Sequence, residues 1–221
     1  MPIEDEPEAA PDGNMATLAP TAPTFTALPL AKRRAMTETA LRDGVTLMAR
    51  WASLPTENKE GWRPRAAIAA EMVAGTGAAS VLDLGCGHMY LEALLPKGIH
   101  YLPSDVIRRD KRTLVCDLNR EAPPMVEADA VACLGLLEYM LDPAALLGRL
   151  ARQHRFAVIS YVPLSPVRSV AKRRSQFWFS DLSAEALRAL FGTTGWTIRE
   201  ERPLGPEQLI WSLGQTAPPG G

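Results

Sequence analysis

Ser80-Val81-Leu82-Asp83-Leu84-Gly85-Cys86-Gly87-His88-Met89-Tyr90 is the stretch on which the reading of the whole chain turns. Val81, Leu82 and Leu84 make the short apolar run of a strand buried on both faces, as parallel sheets require. Asp83 and the two glycines stand at its carboxyl end, where open α/β sheets take their ligands. Gly85 and Gly87 lack a Cβ and tolerate positive φ, so backbone can approach a ligand closely there. The run from His88 to Leu95 predicts a short helix, stopped by Pro96 and Gly98. The pattern is strand, acid, tight glycine turn, helix.

Further strands and helices alternate outward from it. Upstream, a helix is expected from about Trp62, with Pro64 close to its first turn, through Ile68 and Met72 to Val73. Downstream, Ile99–Leu102 reads as the second strand, ending at Ser104-Asp105, and Thr113–Cys116 as a short third, followed by Asp117-Leu118-Asn119. Ala128–Cys133 reads as the fourth, opening into Leu134-Gly135-Leu136-Leu137-Glu138-Tyr139. Asp142 as N-cap and Pro143 in the first turn start a helix that carries Leu146, Leu147 and Leu150 inward. Phe156–Ile159 is the fifth strand, and Ser183 caps a helix closed by Gly195. Two last strands, Trp196–Glu201 and Gln208–Leu213, flank Pro203-Leu204-Gly205-Pro206, a connection suited to an antiparallel hairpin. The expected fold is an α/β three-layer sandwich with a seven-stranded, mostly parallel Rossmann-like sheet and a C-terminal antiparallel hairpin.

The 221 residues suit one such domain with additions. Residues 1–29, rich in Pro, Ala, Thr and acid, are expected to form a disordered tail. Residues 30–61 read as a helical cap, in one helix or, because Gly44 weakens its middle, two. Residues 62–214 form the main domain, and 215–221 a flexible tail. A net charge of −1 provides no field for duplex nucleic acid, and no apolar run is long enough for a membrane span. The acidic start lacks the basic and apolar segments of a secretory signal, and Cys86, Cys116 and Cys133 have no metal-ligand spacing. Together these point to reduced thiols and a cytoplasmic location.

With Asp83 two places ahead of Gly85-Cys86-Gly87, the chain resembles the class I S-adenosylmethionine-dependent methyltransferases, and within them the type 11 kind. The resemblance covers about Arg63 to Leu213. A nicotinamide-dependent oxidoreductase, the less favoured alternative, would carry Gly-x-Gly-x-x-Gly, but Tyr90 fills the third glycine's place. The resemblance implies S-adenosyl-L-methionine as methyl donor, bound by Asp83, Gly85, Gly87, His88, Asp105, Asp117, Leu118 and Leu134. Asp105 takes the place of the ribose-binding acid, at about the ~20-residue spacing of nucleotide-binding α/β folds. Asp117 takes that of the acid accepting the adenine amino group, with Leu118 packing on the ring, and His88 faces the amino-acid end. Glu138 is kept from the family's Glu-His pair, but Tyr139 replaces the histidine. The two are candidate catalytic groups for proton removal and acceptor orientation, or simply polar residues at a helix mouth.

The family commonly carries a third glycine where this chain has Met89. Met89 is expected to turn into the core on the short helix; a Met89 projecting into the cleft would favour a catalytically silent, partner-binding module. The acceptor is expected to be a small molecule or a glycan-type hydroxyl. Arg168, Lys172, Arg173 and Arg174, followed by Phe177-Trp178-Phe179, read as a solvated helix face or as a grip for an anionic acceptor.

Overall fold

The computed structural model describes residues 25–52 and 59–216. Strands β1 (Ser80–Leu84), β2 (His100–Asp105), β3 (Leu114–Val115), β4 (Ala130–Leu134), β5 (Phe156–Tyr161), β6 (Trp196–Leu204) and β7 (Gln208–Gln215) form one seven-stranded sheet, ordered β3-β2-β1-β4-β5-β7-β6. β1 to β5 are parallel, and β7 lies antiparallel between β5 and β6. This is the architecture expected from sequence. From β1 the chain steps outward through β2 and β3, then crosses back to β4 on the other side. That reversal opens a crevice at the carboxyl ends of β1 and β4, the place where such sheets bind ligands.

Successive strand residues point to opposite faces, and helices cover both. Leu82, Leu84, Val131, Ile159 and Tyr161 share a core with Leu147 and Leu150 of α4 (Pro143–Gln153) and Leu187 and Phe191 of α6 (Ala184–Thr193). Val81, Ala130, Ala132, Val158 and Ile210 share a second core with Ala69, Met72 and Val73 of α3 (Lys59–Gly75). The caps are local, as expected: the Asp142 side chain accepts from Ala145 N at 2.9 Å, and Ser183 Oγ from Ala186 N at 3.1 Å. Among the described residues no helix is long and apolar enough to cross a membrane.

Five local expectations need correction. No α-helix follows the glycine turn; between His88 and Leu95 there is only a single 3-10 turn, Glu92–Leu94. Met89 sits at φ 55°, and Leu95, ahead of Pro96, is extended, which leaves too few residues between them to nucleate a helix. α3 begins one turn earlier than expected, placing Pro64 inside the helix, where its ring removes one backbone hydrogen bond. β6 runs through Pro203 and Leu204 because it is the edge strand, whose outward side needs no ladder donor, so the hairpin turn is only Gly205–Glu207. β7 likewise extends into the expected C-terminal tail, where the Gln215 side chain donates to Ala151 O at 2.7 Å. Phe25 to Pro29, assigned to the tail from sequence, belong to the folded body, with Phe25 buried 5.5 Å from the Phe177 ring. Residues 1–24 and 217–221 of the expected tails lie outside the described residues.

The cap consists of α1 (Leu30–Asp43) and α2 (Ala49–Ala52), separated at Gly44, whose φ of 63° ends α1 in a left-handed turn. A third apolar cluster joins it to the segment after α5 (Val170–Arg174): Phe25 and Ala40 meet Phe177 and Phe179. Thr37 adds a hydrogen bond to Arg174 O at 2.6 Å.

Candidate active site

The crevice is a cleft of about 380 Å³, and every site residue expected from sequence lines it: Asp83, Gly85, Gly87, His88, Asp105, Asp117, Leu118, Leu134, Glu138 and Tyr139. Its floor is the turn after β1. Gly85 N and Cys86 N both donate to Ser104 O, at 2.8 and 3.0 Å, which curls the chain back over the end of β2. Gly85 holds φ 73°, and a Cβ there would come 3.2 Å from Leu136 Cδ1. Gly135 opposite holds φ 68°, and a Cβ on it would come 2.5 Å from Arg65 Nη1. Side chains on either glycine would fill the space between β1 and β4.

Three carboxylates ring this turn. Asp83 is buried and accepts from Tyr101 Oη at 2.7 Å. Burial pushes its carboxyl up to about 7, against the pull of the Tyr101 hydroxyl and the Arg65 charge. Asp105 accepts from Gly87 N at 3.0 Å on one oxygen, and from Ile107 N at 3.0 Å and Arg109 Nη2 at 3.1 Å on the other. Asp117 accepts from Asn119 N at 3.1 Å and from the Thr46 hydroxyl at 2.7 Å. Arg109 Nη1 in turn donates to Trp51 O at 3.0 Å, so the cap is tethered over the cleft beside two of these acids.

At the far end, Glu138 is buried in a 3-10 turn, Leu137–Tyr139. Its Oε1 accepts from Val162 N at 2.9 Å, while Oε2 is buried with no hydrogen-bond partner. Burial pushes this carboxyl up as well, opposed by the hydrogen bond from Val162 and the charges of Arg65 and Arg173. Tyr139 is half-buried, its ring 4.6 Å from Trp51 and nearly perpendicular to it at 81°. Burial raises its hydroxyl, and Arg50 and a hydrogen bond with Trp178 lower it.

The sequence reading missed the cleft's cations and most of its rings. Arg50, Trp51, Trp62 and Arg65 all line it, and none carries a motif; only the fold of the cap and α3 over the strand ends brings them in. Arg65 Nε and His88 Nε2 are buried without partners, and burial lowers the Arg65 guanidinium despite Glu138, Tyr139 and Asp83 nearby.

Solved structures share this fold. The 1,6-didemethyltoxoflavin-N1-methyltransferase of Burkholderia thailandensis, with bound 1,6-didemethyltoxoflavin and S-adenosylhomocysteine, aligns at TM-score 0.56 and 19% identity over 91% of this chain and 94% of its own. The fold is that of the class I S-adenosylmethionine-dependent methyltransferases. The magnesium protoporphyrin IX methyltransferase of Synechocystis PCC 6803, with bound S-adenosylhomocysteine, aligns at 0.56 and 16% identity over 83% of this chain and 100% of its own. Mitomycin 7-O-methyltransferase aligns at 0.55 and 17% identity over 87% and 70% respectively. No protein-family model and no curated protein matches the chain.

Within this methyltransferase fold two expectations resolve differently. Met89 does not line the cleft: it is half-buried against the α3-side core, with its sulfur 3.7 Å from Arg112 Nη2. The turn into the core holds, but the helix expected to carry it is absent. Met89→Gly therefore removes partial burial while relieving a left-handed backbone, effects of about 1–2 kcal/mol each and opposite sign. Thermal melts are expected to differ by no more than about 3 °C, with donor affinity unchanged in calorimetry. Tighter binding with an unshifted melt would put the side chain in the cleft.

The basic cluster is neither a solvated face nor a free anion grip. Arg173 is fully buried; it donates to Ser180 O at 2.9 Å, Val162 O at 2.5 Å and Tyr161 Oη at 2.6 Å, and pairs with Asp181 at 3.1 Å. Arg174 pairs with Asp181, and Arg168 with Glu207, each at 2.5 Å. Lys172 donates to Val167 O at 2.9 Å. The sequence does not show these pairs: Arg173 and Arg174 share Asp181 across the turn after α5, and Arg168 meets Glu207, 39 residues on.

Proposed function

We propose that the protein transfers a methyl group from S-adenosyl-L-methionine to a small-molecule or glycan-type acceptor. The observation that carries this reading is the convergence of Asp105 and Asp117, from the ends of two successive strands, on one cleft floored by the Gly85–Gly87 turn. The residues present fit the donor: Gly85 and Gly135, whose Cβ positions would fill the cleft, and Arg65 beside Gly135, with a buried Nε that has no hydrogen-bond partner among the described residues. Asp105 would hold the ribose hydroxyls, and Asp117 with Leu118 and Leu134 the adenine. His88 and Arg65 would meet the amino-acid end, Arg65 taking its carboxylate. The bound donor supplies a methyl group activated by a sulfonium, lost by in-line displacement with the electron pair returning to sulfur. The protein's part is to align acceptor and donor and to exclude water. Glu138 Oε2, buried and unpartnered, is placed to accept the proton of an attacking hydroxyl or amine, and Tyr139 to orient it. Met89, lying outside the cleft, takes away the crowding that a silent module would need. The type 11 resemblance rests on the motif residues alone.

Asp83 makes the test pH-dependent. The free protein keeps its carboxyl protonated below about 7, whereas a donor carrying an ammonium and a sulfonium favours the ionised carboxylate. Binding must then release that proton, so affinity for S-adenosylmethionine is expected to fall as pH drops below about 7, by up to about tenfold per unit. Asp83→Asn should flatten the profile. Calorimetric titration between pH 5.5 and 8 checks both. A flat wild-type profile removes the role of Asp83, and no binding at any pH removes the proposal.

A further inference from the structure

Two arginines line the cleft, Arg50 and Arg65. Arg109, Arg173 and Arg174 pair with Asp105 and Asp181. Arg50 and Arg65 form no ion pair among the described residues, and each has a buried Nε without a hydrogen-bond partner, as Arg33, Arg34 and Arg109 also do outside the cleft lining. A buried guanidinium nitrogen left unmatched is costly, and in a ligand cleft each of these positions suits an anion.

The methyl donor brings one carboxylate. Arg65 lies over Gly135 and feels the charge of Glu138 most and that of Asp83 as well, so it stands between the two ends of the cleft. Arg50 is elsewhere. Its guanidinium lies 4.8 Å from the Trp51 ring centroid and 5.7 Å from that of Phe25, and Trp51 meets Tyr139 at 4.6 Å. The two rings hold the guanidinium in place by cation–π attraction, and its N–H donors, which make no hydrogen bond among the described residues, match a carboxylate bidentately. Trp178 lines the same end, backed by the buried Arg173 guanidinium at 4.9 Å. Aromatic walls of this kind suit a flat, π-bearing ligand.

Resting on the methyl-transfer reading, we propose that Arg50 and the rings of Trp51, Tyr139 and Trp178 form a binding site for a planar aromatic carboxylate as acceptor. The unpartnered Glu138 Oε2 then faces its hydroxyl or amine hydrogen. The charged group is gripped by the cap, not by the Arg168–Arg174 segment, whose cations are already engaged.

The test uses the full chain saturated with S-adenosylhomocysteine and titrated by calorimetry with matched probes. These are 4-hydroxybenzoate, salicylate and indole-2-carboxylate, each beside its methyl ester, together with cyclohexanecarboxylate. Aromatic acids are expected to bind at least about tenfold more tightly than their esters, the scale of a hydrogen bond to a charged group, and more tightly than cyclohexanecarboxylate. Arg50→Met should erase the acid-over-ester preference while leaving S-adenosylhomocysteine affinity and the melting temperature unchanged, and Arg50→Lys should keep part of it. Equal binding of acid and ester, a preference that survives in Arg50→Met, equal binding of the aliphatic acid, or no binding by any probe overturns the proposal. Failure of S-adenosylhomocysteine itself to bind would overturn the methyl-transfer reading, which separates the two failures.

Discussion

Arg173→Met is expected to lower the melting temperature by roughly 6–20 °C, the largest stability loss from any single side chain discussed above. The cation is fully buried between β5 and the loop before α6. It ties together Val162 O, Ser180 O, Tyr161 Oη and Asp181. Methionine preserves much of the volume but leaves two carbonyls and a phenol short of a donor. Truncating one member of a buried, hydrogen-bonded charge network costs about 3–5 kcal/mol, and a chain of this size loses about 2–4 °C per kcal/mol. Arg173→Lys should recover only part, because an ammonium cannot present the planar fork that reaches these acceptors. The same substitution loosens Trp178, which stacks on Arg173, so the acceptor end of the cleft should weaken with the fold. Thermal and urea melts of the two variants decide it. A shift below about 2 °C would show that the network contributes little.

Gly85→Val is expected to weaken S-adenosylmethionine binding at least about a hundredfold, or about 2.7 kcal/mol. Valine is β-branched and resists a φ of 73°, and its Cβ would press to 3.2 Å on Leu136 Cδ1 before the γ-methyls are counted. Either the turn unwinds, taking Gly87 N away from Asp105, or the side chain occupies the donor's place. Gly205→Ala is the control. Gly205 holds φ 66° in the β6–β7 turn with nothing near its Cβ position, so that variant bears backbone strain of about 1–2 kcal/mol without touching the cleft. Calorimetry of the donor on both variants separates the effects. Comparable donor affinity in Gly85→Val and wild type would place the donor away from this turn.

Much of this fold was legible in the chain because its signals are local. Buried parallel strands read as short apolar runs, unbroken in Ala130–Cys133 and interrupted only by Asp83 in Val81–Leu84, and Asp142-Pro143 and Ser183 mark helix starts by chemistry within three residues. The glycine turn and the acids after β1, β2 and β3 were equally plain, since parallel topology sends every such strand end to the same rim. The misreadings also have local causes. Apolar content between His88 and Leu95 suggested a helix, but the left-handed Met89 and the constraint of Pro96 on Leu95 left no room for one. Pro203 suggested a turn, but an edge strand accommodates proline.

By itself, then, the sequence determined a seven-stranded, mostly parallel sheet with a closing antiparallel hairpin, and the acids and glycine turn at its strand ends, all through short-range patterning. Tertiary structure alone decided what becomes of the arginines. Nothing in their neighbours distinguishes Arg173, sealed in a network with Asp181, from Arg50 and Arg65, held over the cleft with no ion pair among the described residues. The state of a charge depends on burial and on groups far away in the chain, and these exist only after the cap, α3 and the loop before α6 have closed on the strand ends.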